Sequence, residues 1–256
     1  MYDYRQIKAL FIDIDDTLVR FKPTSNDTGQ SAQNTSSLIG CLRLYAAQTT
    51  ALSSEEVARR IERVQREVNW WHWSDFIVEL GLNAKLFWEF AYSRDREYLE
   101  PSGPELSSAL QGLHDQGVLL YVTSNNPSSG ILHKLRIAGL ASVAGTTLFQ
   151  QLLGATELHA MKWEELYWKK ALAHTGLDAN EVAVVGDNIR DDYEVPAQAG
   201  YPHSFIIDRH ENLSQRNSES VTFIQDFSQL ARFLTSSNHA RVDMWGQQRK
   251  LKTLTH

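Results

Sequence analysis

Three aspartates follow a short hydrophobic run near the start of the chain. Residues 9–19 read ALFIDIDDTLV, in which Asp13, Asp15 and Asp16 are followed at once by Thr17. Carboxylates at this spacing repel one another and resist removal from water. A bound cation would share their charge, so the pattern indicates a cation site at the end of a buried strand.

Two later apolar runs also end in polar side chains. Thr123 and Ser124 close the run at 118–122, and Asp187 follows the run at 181–185. Ligands of an open parallel sheet bind at the carboxyl ends of its strands, so we expect these groups and the aspartates to share one edge. Such oxygen ligands suit Mg²⁺, which a few carboxylates hold together with substrate phosphate. Further candidates at this edge are Thr17, Gly186, Asn188, Asp191 and Asp192.

Strands and helices alternate in the pattern that positions these residues. The predicted strands are 9–14, 118–122, 181–185 and 205–207, and the predicted helices are 53–72, 82–98, 105–115, 128–138 and 163–175. This order predicts an α/β fold, a three-layer Rossmann-like core in which helices cover both faces of a parallel sheet.

The helical stretch between the first two strand ends predicts an inserted domain. We expect a core formed by 1–20 and 104–235, a helical cap domain at 21–103, and a loosely ordered polar tail at 236–256. Residues 23–37 are rich in Ser, Thr and Asn, which predicts a hinge or mobile loop beside the core.

Composition excludes several classes of protein. The net charge of −6 argues against nucleic acid as the main partner, and no apolar run approaches the roughly 20 residues of a membrane-spanning helix. The first residues lack the basic region and cleavage site of a signal peptide. Cys41 is the single cysteine, which excludes an internal disulfide and a thiolate metal cluster. We expect a cytoplasmic protein, either monomeric or homodimeric.

The motifs together resemble those of the haloacid-dehalogenase-like hydrolase superfamily. The Asp-x-Asp-x-Thr motif matches 13–17, and a strand-end hydroxyl matches Thr123, with Ser124 as the alternative. The lysine of the family's third motif corresponds to Lys162, although Trp163 follows it where the family usually has proline. Lys134 and Lys169 are the alternative lysines. The final motif, Gly-Asp with a second Asp five residues on and a later Ala-Gly, matches 186–200. The resemblance covers roughly residues 5–20 and 100–235.

The resemblance implies a role for each residue. Asp13 would be the nucleophile that forms an aspartyl-phosphate, and Asp15 would protonate the leaving group and then activate water. Thr123 or Ser124, with Lys162, would bind the phosphoryl oxygens. The metal would be Mg²⁺, held by Asp13, Asp15 through its backbone carbonyl, and Asp187. The residues expected around these ligands are Thr17, Asn188, Asp191 and Asp192. Asp192, alone or together with Asp191, would orient Lys162 or metal-bound water.

Asp15 indicates the type of reaction within the superfamily. The dehalogenases and the phosphonate-cleaving enzymes lack a carboxylate two residues after the nucleophile, whereas this chain has one. The resemblance therefore implies a phosphatase that acts on a small phosphorylated metabolite, with a helical cap that closes over the site. A phosphomutase and a non-catalytic phosphate-binding or regulatory protein remain alternatives.

An aromatic cluster lies in the predicted cap. Trp70, Trp71, His72 and Trp73 are consecutive, and Trp88 follows on the next predicted helix. Such a cluster is a candidate substrate platform, but packing within the cap or a dimer contact is the interpretation that we favour. For His72 we favour a packed or surface histidine over a specificity residue.

Overall fold

A computed structural model of the chain describes residues 4–22, 38–68, 71–209 and 218–234. The predicted hinge at 23–37 and the predicted tail at 236–256 lie outside the described residues, as does Trp70. None of the described helices is long and apolar enough to cross a membrane.

Six parallel strands form the main sheet, in the order β5-β4-β1-β6-β7-β8. They are β1 (Ala9–Ile12), β4 (Leu119–Ser124), β5 (Gln151–Gly154), β6 (Val182–Gly186), β7 (Ser204–Ile207) and β8 (Val221–Ile224). A separate antiparallel pair joins β2 (Val19–Phe21) to β3 (Leu99–Pro101). The α/β, Rossmann-like core predicted from the sequence is confirmed.

Helices lie between the strands and at the end of the described chain. They are α1 (Leu38–Thr49), α2 (Ser54–Glu67), α3 (Trp73–Glu79), α4 (Ala84–Tyr98), α5 (Leu106–Asp115), α6 (Ser128–Ile137), α7 (Ala155–Leu158), α8 (Glu165–Ala173), α9 (Val195–Gln198) and α10 (227–234). Two 3₁₀ turns occur at Tyr4–Gln6 and Ala179–Glu181, and a π turn at Arg190–Glu194 leads into α9.

The central strand β1 pairs with β4 and β6 at its edges, and both of its faces are buried in hydrophobic clusters. Its side chains alternate between two hydrophobic clusters. Leu10 and Ile12 belong to one cluster, and Ala9 and Phe11 belong to the other. This two-sided burial explains why the strand is apolar throughout and why the first charged side chain appears only where it ends.

Helices α1 to α4 form a helical segment (residues 38–98) around a hydrophobic cluster that Ala155 and Met161 of the core also join. Ser53 caps α2 by accepting a hydrogen bond from the backbone N–H of Glu56, and Asn83 caps α4 in the same way. The β2–β3 pair joins this segment to the core, and an ion pair between Arg20 and Glu100 crosses the pair at 2.9 Å. The chain therefore enters and leaves the helical segment at neighbouring points.

Several predicted boundaries differ from those observed. The helix predicted at 53–72 ends at Glu67, and α3 begins separately at Trp73. The first strand ends at Ile12 rather than residue 14, since the chain turns there into the aspartate loop. Strands β2, β3, β5 and β8 were not predicted from the sequence, because runs of three or four residues carry too little periodicity.

Candidate active site

The three strand ends that carry polar groups lie side by side. Strand β1 lies between β4 and β6, so Asp13 lies between Ser124 and Asp187 at one edge of the sheet. A cavity of about 430 Å³ opens there. It is lined by Asp13, Asp15, Asp16, Phe21, Leu38, Trp73, Ser124, Asn125, Asn126, Lys134, Lys162, Asp187, Asn188, Asp191 and Asp192.

A buried ion triplet occupies the floor of the cavity. The Nζ atom of Lys162 lies 2.5 Å from Oδ1 of Asp13 and 2.6 Å from Oδ1 of Asp192. The contact with Asp13 is a hydrogen bond, whereas the contact with Asp192 is an ion pair without good hydrogen-bond alignment. Burial alone would lower the pKa of Lys162, but the two carboxylates outweigh it and raise that pKa, so the lysine is positively charged.

The backbone of Lys162 is fixed from both sides. Its N–H donates to Oδ1 of Asn125 at 2.7 Å, and its carbonyl accepts from Nε1 of Trp168 at 2.8 Å. Tyr167, next to that tryptophan, accepts from the N–H of Ser124. The lysine therefore reaches Asp13 although Trp163 stands in the position where the family usually has proline.

The two alternative lysines lie elsewhere. Lys169 pairs with Glu165 on the exposed side of α8, at 2.7 Å. Lys134 is buried on α6, and its Nζ lies 2.5 Å from Oδ1 of Asp15. Lys162 is thus the lysine that contacts Asp13, and Lys134 has a separate contact with Asp15.

The charge at the strand ends favours a cation. Burial raises the pKa of Asp13 well above its usual range, Lys162 opposes this, and the nearby aspartates raise it further. The side chain of Asp187 is exposed. Partial loss of solvation and the negative charge of Asp192 nevertheless raise its pKa to about 7. Oxygen atoms of Asp13, Asp187 and Asp192 lie within 4.8 Å of one another. This donor set fits a hard divalent cation.

The remaining contacts distinguish the two aspartates of the final motif. Asp192 is fully buried, and its oxygens face Lys162 and the N–H of Asn188. Within the described residues, the carboxylate of Asp187 and Oδ2 of Asp13 have no hydrogen-bond partner. Asp13 and Asp187 are therefore the carboxylates available to a metal, while Asp192 holds the lysine.

The hydroxyl in the cavity belongs to Ser124 rather than to Thr123. Ser124 lines the cavity, and its Oγ accepts from the N–H and the Nδ2 of Asn126. Thr123 is fully buried, is not among the lining residues, and its hydroxyl has no partner in the described part of the chain. Neighbouring side chains of a strand point to opposite sides, so only one of these two hydroxyls can face the cavity. The structure favours Ser124 over Thr123 as the phosphate-binding hydroxyl.

The loop after β1 is held by contacts that the motif does not reveal. Asp16 has a φ of +50°, a backbone conformation that is uncommon outside glycine. Arg209, which follows β7, donates to the carbonyls of Asp16 and Thr17 at 2.6 and 3.4 Å. Thr17 is fully buried beneath this loop. Arg209 lies outside every motif, so sequence reasoning had no signal for it.

The other predicted neighbours lie around the loop after β6. Asn188 accepts from the N–H groups of Arg190 and Asp191, which starts the π turn. Asp191 lines the cavity, and burial raises its pKa. Asn125 and Asn126, which sequence reasoning did not assign to the site, directly follow β4, so the same strand-end rule would have found them.

The aromatic residues of the helical segment mostly pack. Trp71 stacks on His159 with a centroid separation of 4.7 Å, and Trp88 packs against Phe87. Trp73 is buried, donates from Nε1 to the carbonyl of Asn125, and also lines the cavity. His72 lies 2.9 Å from Asp75 near the surface. One aromatic of the cluster, Trp73, therefore combines packing with a place in the cavity wall.

Replacement of Gly186 by alanine is expected to destabilise the site. A methyl group there would lie 2.1 Å from Cγ of the buried Asp192. The clash must displace that carboxylate from Lys162, so we expect a loss of about 1–3 kcal/mol in unfolding free energy. Thermal unfolding measures this loss.

Gly112→Ala in α5 is the matched control, because no heavy atom lies within 4 Å of its added methyl group. The control is expected to be neutral or to stabilise by about 0.5–1 kcal/mol. An unchanged melting temperature for the Gly186 variant would contradict the close packing of Asp192.

Comparisons with known proteins give the family of the chain and structures that share its fold. A family model described as haloacid dehalogenase-like hydrolase matches residues 7–200. No protein with a curated description matches the chain.

Solved structures of two kinds resemble the fold. A HAD phosphatase from Thermococcus onnurineus is 21% identical, with a TM-score of 0.60 over 89% of this chain and 98% of that chain. A 2-haloacid dehalogenase from Pseudomonas syringae pv. Tomato DC3000 is 21% identical, with a TM-score of 0.63 over 90% and 99%. The L-2-haloacid dehalogenase from Xanthobacter autotrophicus is 15% identical, with a TM-score of 0.54 over 90% and 98%.

At these identities the structural matches show the fold alone, whereas the family model covers most of the chain. The motif residues that it spans include Asp13, Lys162 and Asp187, which the fold brings to one cavity. The chain therefore belongs to the haloacid dehalogenase-like hydrolases.

Proposed function

We propose that the protein is a Mg²⁺-dependent phosphatase that hydrolyses a small phosphate monoester through an aspartyl-phosphate. The observation that carries this proposal is the pair of carboxylates Asp13 and Asp15 in one cavity, each beside its own lysine. A halide leaves without a proton, so a dehalogenase needs only the first carboxylate. An alkoxide is a poor leaving group that needs a proton, and Asp15 can supply it.

The reaction proceeds in two steps. An oxygen of Asp13 attacks phosphorus, and the bond between phosphorus and the ester oxygen breaks as the proton of Asp15 moves to the leaving alkoxide. Asp15 then takes a proton from water, whose oxygen attacks phosphorus and releases phosphate from Asp13. Lys162 and the Ser124 hydroxyl stabilise the charge on the phosphoryl oxygens.

The carboxylate pair of Asp13 and Asp187 would hold the metal, with the backbone carbonyl of Asp15 as a third ligand from this chain. When bound, Mg²⁺ offsets the negative charge of the nucleophile and the phosphate. Asp192 keeps the ammonium group of Lys162 directed at Asp13. These residues together let an anionic nucleophile approach an anionic substrate.

The helical segment would act as the cap of this site. It contributes Leu38 and Trp73 to the cavity wall, and the chain joins it to the core through β2 and β3. A lid placed in this way can exclude water from the acyl-phosphate and choose among alcohol groups. Closure over a cavity of this size suits a small metabolite.

The charge of the cavity favours a substrate whose alcohol part lacks a carboxylate. The two lysines among the described lining residues, Lys134 and Lys162, are both paired with aspartates. The segment 23–37, which lies in sequence between the lining residues Phe21 and Leu38, contains no Lys, Arg or His. Phe21, Leu38 and Trp73 offer apolar contact instead. We therefore expect neutral alcohol groups to be preferred to acidic ones.

A substrate panel with Mg²⁺ tests the proposal. It contains 4-nitrophenyl phosphate, benzyl phosphate, glycerol phosphate, phosphoglycolate and 2-chloropropionate, with phosphate and chloride release as readouts. We expect phosphate release, with kcat/KM higher for the neutral alcohols than for phosphoglycolate, and no chloride release.

Chloride release without phosphate release would replace the phosphatase by a dehalogenase. Exchange of phosphate between positions of a sugar phosphate would favour a phosphomutase. Absence of turnover on the whole panel would favour a phosphate-binding or regulatory role.

A further inference from the structure

Lys134 is a buried cation that the two reaction steps do not require. It lies on α6, and its Nζ is 2.5 Å from Oδ1 of Asp15. The other oxygen of Asp15 accepts from Nδ2 of Asn126 at 2.8 Å. Two donors from different positions of the chain therefore hold both oxygens of a carboxylate that is itself partly exposed.

The other side of Lys134 faces the helical segment. Asp95 on α4 lines a small cavity together with Lys134, Cys41 and Tyr92. Burial alone would lower the pKa of Lys134, but the nearby carboxylates of Asp15 and Asp95 raise it, so the ammonium group is charged.

Helix α6 also contacts α4 beside Asp95. The ring of His133 stacks on Tyr92 with a centroid separation of 4.3 Å. Nε2 of His133 lies 3.9 Å from Oδ2 of Asp95, which is too far for a hydrogen bond, and burial lowers the pKa of His133 to about 4, so the ring is neutral near pH 7. Helices α4 and α6 are therefore in ring contact beside the point where Lys134 reaches the active site.

We propose that Lys134 is a positioning residue that directs the carboxyl group of Asp15 at the leaving oxygen, and that the negative charge of Asp95, across the small cavity in the helical segment, supports the charged lysine. This inference rests on the proposed phosphatase reaction. Helices α6 and α4 would then contribute to the first step, in which the proton of Asp15 moves to the ester oxygen as the P–O bond breaks. An acid that points elsewhere cannot make that transfer.

Leaving groups of different quality separate positioning from general damage. The nitrophenolate of 4-nitrophenyl phosphate leaves without a proton, whereas the alkoxide of benzyl phosphate needs one. The value of kcat/KM reports the first irreversible step, which is the transfer of the phosphoryl group to Asp13. A defect in the direction of Asp15 must therefore lower kcat/KM for benzyl phosphate selectively.

The test compares Lys134→Met with the parent enzyme on these two substrates. We expect kcat/KM for benzyl phosphate to fall by about 100-fold and that for 4-nitrophenyl phosphate by about tenfold or less. The control is Lys169→Met, since Lys169 is an exposed lysine paired with Glu165; it should change neither value.

Loss of Lys134 removes the positive charge near the partly buried Asp95, so the single variant can be unstable. The double variant Lys134→Met, Asp95→Leu also removes the negative charge of Asp95 and is expected to fold and to show the same selective loss. Circular dichroism checks both variants.

Equal losses on the two substrates, or no loss, in whichever variant folds would overturn the positioning role. Failure of the parent enzyme to hydrolyse either phosphate would overturn the phosphatase proposal, and with it this inference.

Discussion

Asp13→Asn is expected to lower kcat by about 10⁴-fold or more while the fold survives. An amide is nearly isosteric with the carboxylate but cannot form an acyl-phosphate. The substitution removes one of several crowded negative charges, and Asp192 still pairs with Lys162, so we expect the fold to survive. Steady-state phosphate release, together with thermal unfolding, measures both effects.

The matched control for this variant is Asp115→Asn, at an exposed aspartate on α5 that accepts a hydrogen bond from Gln111. It should retain full activity. If the Asp13 variant kept a tenth of the parent kcat, Asp13 would not be the nucleophile.

Removal of divalent metal is the second change with a large expected effect. We expect EDTA to abolish phosphate release, Mg²⁺ to restore it, and Ca²⁺ to fail. Calcium binds more ligands at longer distances than Mg²⁺ does. Such a coordination sphere does not suit the two carboxylates of Asp13 and Asp187, nor an in-line attack by Asp13 on phosphorus. Full activity in Ca²⁺ would contradict this assignment of the site.

The metal affinity should also depend on pH in a defined direction. Without metal, the pKa of Asp187 is raised to about 7, so the side chain gains a proton as the pH falls through this value. The metal must then displace that proton, and its apparent affinity should fall by up to about tenfold per pH unit below 7. Calorimetric titration with Mg²⁺ at pH 6 and pH 8 measures this; equal affinities would contradict it.

The strand-end rule was enough to place most of the site. Parallel strands bring their carboxyl ends to one edge, so Asp13, Ser124 and Asp187 could be grouped before any coordinates were known. The α/β core followed from the alternation of apolar strands and helices. These features depend on periodicity and on the topology of parallel sheets, both of which a single sequence carries.

Other features depend on contacts between distant parts of the chain. The choice between Thr123 and Ser124 is set by which face of β4 each side chain occupies, and a shift of one residue reverses it. Lys134 reaches Asp15 only because α6 packs beside the aspartate loop. Arg209 reaches the same loop from the end of β7. No local sequence pattern indicates such contacts, so they could not be predicted from the sequence.

The central claim is that Asp13 carries the phosphoryl group during turnover. Asp15→Asn should trap this species with 4-nitrophenyl phosphate, since that leaving group needs no acid while the second step lacks its base. Acid quenching would preserve the acyl-phosphate, and reduction with borohydride would convert the phosphorylated aspartate into homoserine. Peptide mass spectrometry would then locate the homoserine in the chain. The account predicts homoserine at position 13, formed only with Mg²⁺; homoserine at another aspartate, or phosphate release by this variant without any at position 13, would contradict it.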